Sequence, residues 1–103
     1  MIAISNINEK VPRNVQFVTI LSGFGITEIP NGYFKECYRL KYIQMTDDIY
    51  KIGDKASSSC ISLRYIELPE KLYSIGKHCF CGCVKLKFIN LSNTVHHVAF
   101  GAF

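Results

Sequence analysis

The chain is 103 residues long, enough for one domain and too short for two of ordinary size. With 49% hydrophobic and 19% charged residues it is not an intrinsically disordered sequence, and its apolar runs are too short for a membrane-spanning helix. The net charge of +4 comes from scattered basic residues, so the clustered footprint of a nucleic-acid binder is missing.

In chain order, Met1 to Lys10 (MIAISNINEK) lacks the basic start and long apolar core of a secretion signal. Residues 1–13 match the later pattern poorly, Ala3 and Asn6 being weak matches, and are expected to form an irregular cap or leader. The five cysteines are an odd count, and without a signal they read as reduced thiols in a cytoplasmic protein.

From residue 14 onward the sequence is periodic, with columns of like side chains recurring at one constant spacing. The columns are Cys37, Cys60 and Cys83; Leu40, Leu63 and Leu86, with Phe17 ahead of them; Ile20, Ile43, Ile66 and Ile89; and Met45, Leu68 and Leu91. Two more follow, Ile26, Ile49, Leu72 and Val95, then Ile29, Ile52, Ile75 and Val98, and the register as read needs no gap from Phe17 to Phe103. Phe34, Phe80 and Phe103 share a column that Ser57 interrupts. Alternation in Tyr42-Ile43-Gln44-Met45, Tyr65-Ile66-Glu67-Leu68 and Phe88-Ile89-Asn90-Leu91 predicts half-buried strands with the aliphatic residues inward. One such unit cannot bury its own apolar edge, so the strands are expected to stack about 4.8 Å apart around a continuous core. Leu72 and Ile75 predict a second short extended segment, Gly53 and Gly76 are expected to supply backbone angles other residues resist, and Lys77 to Cys83 is expected to be a loop or helical turn seating Phe80.

The clearest unit, Cys60 to Phe80, reads C-x-x-L-x-x-I-x-L-P-x-x-L-x-x-I-G-x-x-C-F. It resembles the leucine-rich repeats of the BspA-like family, widespread in parasitic protists and host-associated bacteria, and the resemblance covers residues 14–103. It implies an α/β-type solenoid that is mostly β with short turns or 3-10 segments. This would be a right-handed leucine-rich repeat coil of about four repeats with a parallel concave sheet. It also implies adhesion or host interaction, with the cell surface as the alternative location. The chain stops mid-repeat without a polar cap, which predicts a homo-oligomer paired through the open end, or a fragment of a longer chain.

No catalytic constellation is present: there is no G-x-S-x-G elbow, H-E-x-x-H helix or Gly-rich phosphate loop. His96 and His97 are adjacent and would face opposite sides of a strand, and His78 stands apart. Cys79-x-Cys81-x-Cys83 could suggest zinc, but lacks the paired spacing of a structural site, so no cofactor or metal is expected. Cys79 fits a small-residue core column with Ala56 and Ala102, and buried cysteine behaves as a small hydrophobe. Stacked ladder thiols would lie within disulfide range, an oxidation expected only as an artefact.

The outward columns carry the functional expectation. Tyr42, Tyr65 and Phe88, headed by Thr19, form an aromatic stripe beside a basic one of Lys41, Arg64 and Lys87, headed by Val18, and a polar one of Gln44, Glu67 and Asn90. Aromatic and Arg side chains are common interface anchors, so these nine residues are predicted to bind a protein or peptide partner without catalysis. A second aromatic column is Tyr50, Tyr73 and His96. Separately, Arg13-Asn14-Val15-Gln16-Phe17 resembles the motif by which regulators dock on the catalytic subunit of protein phosphatase 1 by strand addition, with Arg13, Val15 and Phe17 as the contacts. That gives an alternative role as an intracellular phosphatase regulator.

Overall fold

A computed structural model describes residues 1–87, 89 and 95–103. Eight short strands follow one another: β1 (Ile2–Ile4), β2 (Phe17–Ile20), β3 (Glu28–Ile29), β4 (Tyr42–Gln44), β5 (Lys51–Ile52), β6 (Tyr65–Glu67), β7 (Ser74–Ile75) and β8 (His97–Val98). They form two parallel sheets, ordered β1-β2-β4-β6 and β3-β5-β7-β8, and the three coils holding β2 and β3, β4 and β5, and β6 and β7 give one strand to each sheet. No helix occurs among the described residues, and the segments between strands are turns. The chain is a mostly β solenoid.

The core is the set of in-phase columns. Ile43 pairs with Ile66 and Ile52 with Ile75, and all four are buried. Leu40 and Leu63, Ile49 and Leu72, and Phe34 and Phe80 fill the space between the sheets. The residues from Lys77 to Cys83 form a turn that seats Phe80, which is 2% exposed.

The register departs from an unbroken period at its start. Val18 pairs with Ile43, a step of 25, whereas Ile43 pairs with Ile66, a step of 23, and Ile29 pairs with Ile52 at 23 as well. Two extra residues therefore sit between β2 and β3. They are absorbed in the turn Ser22-Gly23-Phe24-Gly25, where both glycines have positive φ and open space around them, and Phe24 is exposed. Val18, not Ile20, is the partner of Ile43, and Phe17 pairs with Tyr42 rather than standing in the Leu40 column. Val15 is the buried residue that precedes Leu40 at the same longer step. The ambiguity has a physical origin: Val18 and Ile20 share a face and are both buried, so either register hides an aliphatic side chain. At the N-terminus, Ile2, Ala3 and Ile4 pair with Val18, Thr19 and Ile20, which gives the first sheet a fourth strand.

The third side of each coil is a stack of turns. Phe34 N–H donates to the Ala56 carbonyl at 2.6 Å and Ser57 N–H to the Cys79 carbonyl at 2.9 Å, with Phe80 N–H continuing to Ala102 at 2.7 Å. This stack needs left-handed backbone at two positions per coil. One row is Gly32, Lys55, His78 and Gly101 and the other Glu36, Ser59 and Gly82, all with φ between 52° and 80°. Gly53 and Gly76 have a different reason from the expected one. Neither has positive φ; a Cβ on Gly53 would lie 2.5 Å from Asn31 Oδ1, and one on Gly76 2.6 Å from the Asp54 nitrogen. The crowding comes from a side-chain ladder in which Asn31 Oδ1 accepts the Asp54 N–H at 2.7 Å and Asp54 Oδ1 the Lys77 N–H at 2.8 Å.

Candidate binding face

The outward side of the first sheet is set by strand alternation. With Ile43 and Ile66 inward, Tyr42, Gln44, Tyr65 and Glu67 face out. The longer first step adds Phe17 to the head of the aromatic row and Thr19 to the head of the polar row, so the rows are Phe17–Tyr42–Tyr65 and Thr19–Gln44–Glu67. Thr19 and Val18 do not lead the aromatic and basic rows; Val18 is fully buried. Phe88, Asn90 and Leu91 lie outside the described residues.

The aromatic row is exposed at Phe17 and Tyr65 and half-buried at Tyr42. Phe17 and Tyr65 are each 42% exposed, and the rings of Tyr42 and Tyr65 stack with centroids 5.3 Å apart and 23° between planes. Tyr42 Oη donates to Glu67 Oε2 at 2.8 Å across the coils. That bond to an anion holds the phenolic proton, and the Tyr42 pKa is pushed up to about 12.

Charge divides the face into two rims. Lys41, Arg64 and Lys87 are exposed and precede the strands at a corner, joined by backbone bonds from Arg64 N–H to the Lys41 carbonyl and from Lys87 N–H to the Arg64 carbonyl. They border the sheet rather than lie on it. At the opposite ends of β4 and β6 is an open groove of about 660 Å³, whose lining includes Asp47, Asp48, Glu67 and Glu70. These are four of the chain's eight Asp and Glu side chains, and among the described residues no Lys or Arg lines the groove. Gln44, Tyr65 and Glu67 of its lining belong to the outward columns legible in the sequence, whereas Asp47, Asp48 and Glu70 do not. Asp47 and Glu70 stand in phase, one repeat apart, but a search for apolar columns does not register an acidic pair.

The docking motif is divided between inside and outside. Val15 is buried and Phe17 exposed. The Arg13 guanidinium donates to the Lys35 carbonyl and to Cys37 Sγ at 3.9 Å, on the outer side of the first turn stack. Arg13 thus occupies the place that a preceding coil takes further along, where the Cys60 thiol donates to the Phe34 carbonyl at 3.0 Å and Cys83 to that of Ser57 at 3.1 Å.

Cys37, Cys60 and Cys79 are buried, Cys83 is half-buried and Cys81 is exposed. Burial pushes the thiol of Cys60 far up, that of Cys79 to about 12 and that of Cys83 to about 11. Among the described residues no three His, Cys, Asp or Glu side chains form a metal-holding group. On the second sheet His96 stacks on Tyr73 at 5.0 Å and His97 meets the same ring edge-on at 5.3 Å. The two histidines therefore share a neighbour, contrary to strict alternation, because His96 precedes the two-residue strand β8. No described helix is long and apolar enough to cross a membrane.

A family model described as "BspA type Leucine rich repeat region" matches residues 4–103 in six copies. Among solved structures, the chain is similar to a leucine rich cell surface protein from Faecalibacterium prausnitzii A2-165, with a TM-score of 0.84 and 25% identity over 91% of this chain. It is similar in fold to a leucine rich repeat protein of T. pallidum, with a TM-score of 0.72 and 24% identity over 88% of this chain. The chain spans 25% of the first protein's length and 54% of the second's. No curated protein sequence matches it significantly.

Proposed function

The chain belongs to the BspA-type leucine-rich repeat family, and from that premise we propose that it is a non-enzymatic, adhesion-type binding module displayed at a cell surface. The observation that carries the binding role is the outward face of the first sheet: an aromatic row of exposed Phe17 and Tyr65 with half-buried Tyr42 between them, flanked by a basic rim and an acidic groove. Exposed aromatic side chains held in register at a constant spacing are preorganised anchors for a protein or peptide partner. Support for the surface rather than the cytoplasm comes from the similar Faecalibacterium protein, named as a cell surface protein. The phosphatase-regulator reading has less support, since Arg13 and Val15 are both occupied within the fold.

Two measurements test the proposal. Antibody labelling of intact cells of the native organism should detect the protein; labelling seen only after permeabilisation would place it inside. In a pull-down, the variant Phe17→Ser, Tyr42→Ser, Tyr65→Ser should lose its partner at least tenfold while keeping the wild-type circular dichroism. Undiminished capture by the folded variant would remove the face from the function.

A further inference from the structure

We propose that the same face is self-complementary and pairs two copies of this chain about a two-fold axis parallel to the stacking direction of the coils. This rests on the outward side of the first sheet being the binding surface, and adds one specific partner to it.

The warrant is the order of chemistry across the face. The coils of β4 and β6 each present first a cation (Lys41, Arg64), then an aromatic ring (Tyr42, Tyr65), then Gln44 or Glu67, and finally an acidic residue at the groove (Asp47, Glu70). The sign of charge reverses between Arg64 and Glu67, roughly 10 Å of extended chain. Among the described residues the single ion pair is Lys51 with Glu28 at 4.0 Å, on the other sheet. Lys41, Arg64, Asp47, Asp48 and Glu67 therefore have no charge partner among the described residues, although the two rims flank one exposed apolar row.

A surface that is basic on one margin and acidic on the other can meet its own copy in two simple ways. A two-fold axis along the strands lays basic rim on basic rim, which repels. A two-fold axis along the stack lays the basic rim of each copy on the acidic rim of the other and brings the aromatic rows together near the axis. Only the second is attractive on both margins, and as an isologous contact it closes at two copies. Four strands at about 4.8 Å spacing make a face well below the roughly 800 Å² per partner of a standard stable interface. The pairing is accordingly weak, salt-sensitive and exchangeable for another ligand of the face.

Sedimentation equilibrium at millimolar protein and low salt tests this. The wild-type average mass should rise above the monomer's 11.7 kDa, and half-molar salt should weaken the association at least tenfold. Arg64→Glu puts an acid on the basic rim and Glu67→Arg a base on the acidic one, so each variant alone should remain monomeric. Mixed one to one they should associate at least tenfold more tightly than either does alone, which a folding defect could not produce. A wild type monomeric under these conditions, or a mixture no tighter than its components, overturns the inference. If that happens while the Phe17, Tyr42 and Tyr65 variant still loses its partner in the pull-down, the binding proposal stands and only self-pairing falls.

Discussion

The thiols of Cys60, Cys79 and Cys83 show how a repeat column fixes chemistry at single residues. Each is seated among other coils, each donates its proton or packs against carbonyls of a neighbouring turn, and each is pushed upward in pKa by burial. Because the folded values exceed the unfolded ones, the stability these groups contribute is complete below pH about 9 and is lost as pH rises toward about 12. Alkaline unfolding monitored by circular dichroism should therefore begin above pH 9, and replacing Cys79 by Ala should flatten that limb. At pH 7.5, a thiol reagent should modify Cys81 quickly and the buried thiols only on unfolding; fast modification of all five would contradict the packing. Ser57 is the exception within a core column. It stands between Phe34 and Phe80, 1% exposed, and its Oγ has no hydrogen-bond partner among the described residues.

Among the elements, the strands and the Lys77 to Cys83 turn that seats Phe80 are legible in the sequence, and the turn after β2 is not. Tyr42–Gln44 and Tyr65–Glu67 were identified from alternation because one face is buried. The two-residue insertion after β2 is hidden in the sequence because Val18 and Ile20 are interchangeable as core residues, and it places Phe17 in the outward row rather than in the Leu40 core column. Gly53 and Gly76 were visible as a column, but the cause is the Asn31–Asp54 side-chain ladder, a contact between coils that no local pattern reports. The insertion should be dispensable. Deleting Gly23 and Phe24 shortens an exposed turn and should change stability by less than about 1 kcal/mol. Ile66→Ala, which opens a cavity in the fully packed strand column, should cost about 2–5 kcal/mol. Urea melts of the two variants distinguish the cases: a large loss on deletion would mean that the turn packs against the core, not that it projects from it.

For the whole molecule, the proposed binding role follows from translation rather than from a pocket. Successive coils set their outward residues in register at the strand spacing, so single side chains become rows, and rows of unlike chemistry become a graded face. The aromatic and basic rows could be read from the sequence because repeats align them; the acidic groove could not, because it depends on loops of two coils coming together. Everything at this scale depends on coils that stack in parallel with a longer step from β2 to β4 than from β4 to β6, which places Phe17, Tyr42 and Tyr65 side by side. Long-range nuclear Overhauser effects in the purified chain test that register most directly. The stacked coils predict contacts between the Phe17 and Tyr42 rings and between Val18 and Ile43. Contacts pairing Ile20 with Ile43 instead, or no contacts between residues one coil apart, would contradict it.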